Sequence, residues 1–160
     1  MAVRIVAPAA ALRLSIAACA CSVLPDADSL PGVPYEHSFG HRGFFHSLLF
    51  AALMAAAGAA WMRAERPYRV FGLLFVVGAS HGVLDAMTDA GLGIAFFAPF
   101  DDERYFLPWR PLVCPPIAIA PFFSEWGVRV LRSEVVWVWL PLLGLLLLVR
   151  AIQGGTARVR

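Results

Sequence analysis

Four stretches of this chain run too long with too little charge to be surface helices of a water-soluble protein. Phe44–Met62, FFHSLLFAALMAAAGAAWM, holds one ionisable group, His46, near its start. Val70–Met87 holds only His81 and Asp85, both toward its end. Val135–Val149, VVWVWLPLLGLLLLV, is uncharged throughout, contains Pro141 and extends to Ile152. Ile5–Leu24 is Ala-rich and interrupted only by Arg13. A membrane-spanning helix needs roughly 17–25 apolar residues, and a helix satisfies its own backbone where no water can. Of the 160 residues, 60% are hydrophobic and 15% charged, against about 25% charged in a soluble domain. Disorder requires the opposite balance. The expected fold is all-α: a single domain over residues 1–160, an integral membrane bundle of about four apolar helices. Between the third and fourth lies a Pro- and aromatic-rich loop, Thr88–Glu134, where Pro108, Pro111, Pro115 and Pro116 forbid a long helix. Short interfacial helices fit there, with Trp109 and Trp126 at the membrane–water boundary.

Charge narrows the partners. All thirteen basic residues are Arg, they are scattered, and the net charge is +2. No basic stripe tracks a phosphate backbone, which argues against nucleic acid and leaves the lipid bilayer as the expected partner. Cys19, Cys21 and Cys114 form no CxxC pair, and the first two lie in apolar sequence as small buried hydrophobes. Arg63, Arg66 and Arg69 crowd one short connection, and Arg150, Arg158 and Arg160 the tail. The positive-inside rule assigns both to the cytoplasm.

That orientation gathers the ionisable residues on the other side. Asp26 and Asp28 follow the first helix in LPDAD; His37, His41 and His46 sit at the entry to the second; His81 and Asp85 sit at the exit of the third. His81 and Asp85 are i and i+4 and share a helix face, which Asp89 continues. Asp26 and Asp28, two apart after Pro25, point to one side if the chain is extended. Intramembrane acids and histidines are costly and usually paired or functional. Such a set suits zinc, or a pair of metals bridged by a carboxylate. Taken singly, each motif also reads as a helix-face hydrogen bond or a capping Asp.

LPDAD, GHRGFFHSLLFA and ASHGVLDAMTDAG together resemble the YdjM-like bacterial inner-membrane metal-dependent hydrolases, whose motifs are LPDxD, HRGxTHS and SHxxLDxxT; the likeness covers roughly Leu12 to Leu140. The resemblance implies a helical membrane protein related to zinc-dependent phospholipase C and the S1/P1-type nucleases. It implies Asp26, Asp28, His41, His46, His81 and Asp85 as metal ligands. The sequence departs from the pattern twice. Met1–Leu12 holds no His where the family has a His-bearing N-terminal helix, and Phe45 replaces the family Thr. Both departures set an expectation of impaired activity.

The expected function is a membrane-bound hydrolase of a phosphoester or other membrane-associated, lipid-like ester. One or more divalent ions, zinc above all, would activate water. Arg42 is the candidate for gripping an anionic phosphate, and Asp89 or one of Asp26 and Asp28 the candidate general base. Ser80, Ser47 and Glu36 are candidate partners for the histidine rings. The competing reading is a non-catalytic membrane protein in which a metal or polar cluster staples the helices. A transporter would need charge at mid-depth, which Phe44–Met62 and Val135–Val149 lack.

Overall fold

The computed structural model describes residues 8–28, 33–116 and 119–157. Among them every long element is a helix, and pairing between extended segments is limited to the isolated bridges Thr88–Leu112 and Ile94–Tyr105. The chain divides into two units, Met1–Ala86 with Leu92–Pro108, and Met87–Gly91 with Trp109–Arg160.

The first unit is built on α1 (Pro8–Val23), α2 (Leu48–Met62) and α3 (Pro67–Ala86). Small residues four apart make the contacts. Ala51, Ala55 and Ala59 are the buried positions of α2, and Leu74, Gly78, Gly82 and Ala86 those of α3. Lipid chains are as apolar as leucine, so helices in a bilayer associate by close backbone approach rather than by hydrophobic burial. Gly78 shows the consequence: a Cβ there would stand 3.3 Å from the Ala51 Cβ. Ala17 and Cys21 of α1 close the core against Ala55 and Leu74. Leu53, Leu73 and Val76 stay exposed, as residues facing lipid do.

Two expectations change here. The Phe44–Met62 segment is not one helix. Ser47 is extended and its Oγ accepts from Phe50 N at 3.1 Å, so α2 starts only at Leu48 and Phe44–His46 forms a separate 3₁₀ turn. The remaining 15 residues rise only about 22 Å. Asp26 and Asp28 are not in extended chain either, since Leu24–Asp28 is a 3₁₀ helix that prolongs α1. Its tighter winding sends residues two apart in diverging directions.

The second unit contains α4 (Ile119–Phe122), α5 (Glu125–Glu134) and α6 (Leu140–Ala157). Ser124 caps α5, its Oγ accepting from Trp126 N. The expected short interfacial helix does not stop at Glu134. It runs through a π-helical turn, Val135–Trp139, into α6. That wider turn lies where the Pro141 ring would otherwise meet the carbonyl four residues back. Glu125–Gly154 is thus one continuous helix of 30 residues; over α5 it is charged and buries Gly127 and Val130, whereas from Val135 to Val149 it is uncharged with no residue buried. A helix apolar all round and unburied has lipid as its remaining environment. Pro8–Asp28 and Pro67–Ala86 are also long and apolar enough to cross a membrane, whereas α2 is shorter. Ile5–Ala7, Arg158 and Arg160 lie outside the described residues.

Candidate metal centre

Three helix ends meet at one end of the first unit. They are the 3₁₀ extension of α1, the 3₁₀ turn before α2 and the last turns of α3. Asp26, His46, His81 and Asp85 each present one ligand atom there, all within 4.8 Å of one another. His46 Nε2 lies 3.6 Å from Asp26 Oδ1 and 3.3 Å from Asp85 Oδ2. His81 Nε2 lies 3.3 Å from Asp26 Oδ1 and 3.9 Å from Asp85 Oδ2. The two Nε2 atoms are 3.2 Å apart. A tetrahedral zinc ion with nitrogen and oxygen ligands at 2.0–2.2 Å has ligand–ligand edges of about 3.3–3.6 Å. The five separations straddle that value.

The tautomers follow from the other ring nitrogens. His81 Nδ1 is 2.8 Å from the Ser22 carbonyl, which can only accept, so Nδ1 carries the hydrogen. His46 Nδ1 is 3.0 Å from Asp28 Oδ2, in ion-pair contact rather than straight hydrogen-bond alignment. Both rings therefore turn Nε2 toward the shared space. Two such nitrogens at 3.2 Å need a cation between them, and a proton fills that part when no metal does. Burial disfavours an imidazolium at His46, but contacts with Asp26, Asp28 and Asp85 outweigh it and push its pKa up to about 10. Histidines oriented from behind by a carboxylate or a carbonyl are the usual arrangement around a bound metal.

Asp28 and His41 stand behind the cluster rather than in it. Asp28 is 1% exposed. Its Oδ1 contacts His41 Nδ1 at 2.7 Å, and its Oδ2 accepts from Arg42 N at 2.9 Å while facing His46 Nδ1. Its two oxygens are committed to protein donors. Arg42 is buried, with φ at +64°, and its Nε lies 3.5 Å from Asp85 Oδ2. Asp89 lies beyond the end of α3 in the second unit, where its Oδ1 accepts from Cys114 N. His37 Nδ1 accepts from Phe39 N within its own loop. Ser80 Oγ donates to Val77 O, Ser47 caps α2, and Glu36 is exposed. The partners of the metal-facing rings are the Ser22 carbonyl and Asp28. Phe45 packs edge-to-face against Phe44 and Phe50.

The Leu92–Pro108 segment of the same unit clamps the Tyr35–His46 loop. Ala95 N donates to Arg42 O, and Leu48 N donates to Phe96 O. Arg104 does most of the tying: Nη1 donates to His41 O at 3.0 Å, and Nη2 to Tyr35 O at 3.1 Å and His37 O at 3.2 Å. Spacing alone could not single out Arg104, because its partners are backbone carbonyls more than sixty positions upstream. Arg104→Met keeps the stem and removes all three bonds. Groups that bond a liganding side chain directly are typically worth about 10–100-fold in metal affinity, and Arg104 acts one layer further out, through the loop. We expect zinc affinity to fall by about tenfold while the helical circular dichroism is kept; unchanged affinity would remove Arg104 from the support.

The donor set therefore fits a divalent metal: two imidazoles and two carboxylates whose ligand atoms lie within 4.8 Å of one another, with both rings oriented from behind. The YdjM inner membrane protein family matches residues 1–157. The inner membrane protein YbcI of Escherichia coli (strain K12) is 41% identical over 143 residues, covering 85% of this chain and 81% of the relative. No solved structure matches.

Proposed function

The chain belongs to the YdjM family of inner membrane proteins, and on that premise we propose that it is a membrane-bound, metal-dependent hydrolase. Its substrate is a phosphoester or another membrane-associated ester. The observation that supports this reading most is the convergence of His46, His81, Asp85 and Asp26 at metal-ligand spacing, with Asp26 still 56% exposed. A wholly structural site closes its four ligands around the ion, whereas a catalytic one keeps a position open. His46, His81 and Asp85 are buried or half-buried and would hold the ion, and the fourth position would stay open to water on the exposed Asp26 side, where the carboxylate serves as base rather than as a closing ligand.

A divalent ion held there supplies Lewis-acid polarisation and acidifies water near neutral pH. The chain's own groups do the rest. Ser22 O and Asp28 keep Nδ1 of His81 and His46 protonated, so that Nε2 of each stays a donor of its lone pair. The Asp26 carboxylate, reachable from solvent, takes the proton of the attacking water and passes it out. The reaction would sit at the membrane interface: the cluster lies at the Leu48 end of α2 and the Ala86 end of α3, while Arg63, Arg66 and Arg69 lie at or beside the opposite ends. By the positive-inside rule, the cluster then faces away from the cytoplasm.

The test is the metal content of detergent-purified protein, comparing wild type with His81→Ala and Asp85→Ala, followed by a screen of phosphoester and lipid substrates. We expect a stoichiometric divalent metal in wild type, a fall of at least about tenfold in occupancy in both variants, and metal-dependent hydrolysis in wild type alone. A folded wild type that binds no added zinc overturns the proposal. Tight zinc binding without turnover of any ester would favour the helix-stapling alternative.

A further inference from the structure

The charges around the cluster do not sum to those of a two-metal site. Asp26, Asp28 and Asp85 contribute three negative charges, and the imidazoles none once their Nε2 atoms face a metal. The Arg42 guanidinium contributes one positive charge from a position 2% exposed to solvent, with Nε 3.5 Å from Asp85 Oδ2. Arg104 is also positive, but its guanidinium donates to the carbonyls of Tyr35, His37 and His41 rather than to a carboxylate of the cluster. Among the groups in direct contact with the cluster two negative charges remain, which is what one divalent cation neutralises.

We infer that Arg42 is the built-in counter-cation of this site and limits it to a single divalent ion. The inference rests on the metal-binding reading above and deepens it, since a pair of carboxylate-bridged metals would also have suited the sequence. Ligand supply points the same way as charge. Asp28, the one further carboxylate beside the liganding histidines, has its oxygens already engaged by His41 Nδ1, Arg42 N and His46 Nδ1. A second ion would bury two surplus positive charges beside an immobile guanidinium, and surplus buried charge is strongly penalised. Arg42 is held for this work at both its backbone groups, its N donating to Asp28 and its O accepting from Ala95 N at 3.1 Å. Its role is thus positioning and charge balance around Asp85 rather than contact with substrate.

The experiment titrates zinc into detergent-purified, chelator-treated full-length chain and reads stoichiometry and dissociation constant for wild type, Arg42→Gln and Arg42→Lys. Gln keeps an N–H donor at the position of Nε beside Asp85 and removes the charge together with the Nη groups; Lys keeps the charge. Wild type should bind one zinc ion per chain. A unit charge this close to a ligand oxygen opposes a second cation by a factor of roughly ten or more at an effective dielectric constant of about 20. Arg42→Gln should therefore bind its zinc about tenfold tighter, and Arg42→Lys should stay within about threefold of wild type. Two zinc ions per wild-type chain overturn the inference, as does looser zinc in Arg42→Gln or a Lys variant that behaves like Gln. If Arg42→Gln fails to fold, the wild-type stoichiometry and the Lys variant still decide. A wild type that takes up no zinc overturns the metal-binding reading itself, whereas one zinc with the wrong response at Arg42 overturns only this inference.

Discussion

Asp28→Ala should destabilise the protein by about 3–5 kcal/mol, the usual cost of removing one partner from a buried charged network. The carboxylate is 1% exposed, accepts from His41 Nδ1 at 2.7 Å and Arg42 N at 2.9 Å, and stands in ion-pair contact with His46 Nδ1 at 3.0 Å. Alanine leaves those donors facing a cavity, and each buried donor without an acceptor costs about 1–3 kcal/mol. It also leaves the Arg42 charge with less to oppose it. Asp28→Asn separates folding from metal binding. The amide keeps the shape and one accepting oxygen but cannot serve His41 and His46 together. That variant should fold and lose about 10–100-fold in zinc affinity, the range seen when a carboxylate behind a liganding His is removed. Thermal unfolding in detergent and a chelator competition measure the two effects. Asp28→Ala with wild-type melting and wild-type zinc affinity would show that the network behind His46 does not support it.

The helices and the meeting place of the polar residues were legible because both follow from local pattern. Uncharged runs near the length of a bilayer give membrane helices, and acids and histidines at the ends of such runs must share a membrane side. The motifs LPDAD, HRGFFHS and SHGVLD added the likeness to a family that now includes this chain. What pattern did not give was the division of labour among the six candidate ligands. Asp26 and Asp28 differ only in which way a 3₁₀ turn points them, and an extended reading of PDAD puts both on one side. His41 and His46 are five apart, yet the break at Ser47 turns His46 into the cluster and leaves His41 against Asp28.

Long-range contacts were less legible still. The Leu92–Pro108 segment reads as irregular, Pro-rich sequence, and its function is to hold a loop far upstream. Leu107 N donates to Ala86 O at the end of α3, and Arg104 reaches carbonyls at Tyr35, His37 and His41. Backbone acceptors leave no trace in residue type, so neither Arg104 nor the Ser22 carbonyl could be picked out. The α5–α6 boundary was hidden for another reason. Charged residues between Glu125 and Glu134 suggest an interfacial helix ending before the apolar run, but no residue there stops a helix, and a π turn absorbs Pro141.

Gly43→Ala, the smallest change available in the HRGFFHS motif, should nearly abolish metal binding. Gly43 closes the turn between the element that supports Asp28 and the one that carries His46. Its N donates to Gly40 O at 2.9 Å, and His46 N donates back to Gly43 O at 3.0 Å. A Cβ at Gly43 would fall 2.3 Å from Ser38 O and 2.8 Å from Gly40 O. Both are backbone atoms, so no rotamer change can clear them, and the chain from Ser38 to Phe44 must move. Phe44 N donates to Ser38 O at 2.7 Å, so that movement breaks a bond spanning the turn and shifts the 3₁₀ turn bearing His46. Gly78→Ala is the control, because its added Cβ would stand 3.3 Å from the Ala51 side chain, a contact that a few tenths of an ångström relieve. Overpacking of that kind costs about 1–3 kcal/mol or less and leaves the ligands in place. We expect Gly43→Ala to lose at least about a hundredfold in zinc affinity, and Gly78→Ala to lose less than about threefold. Displacing His46 by even 1 Å takes its Nε2 out of range of a 2.0–2.1 Å bond. Equal zinc affinity in the two variants would mean that the turn can rearrange without moving His46, and that the motif's glycine is there for some other reason.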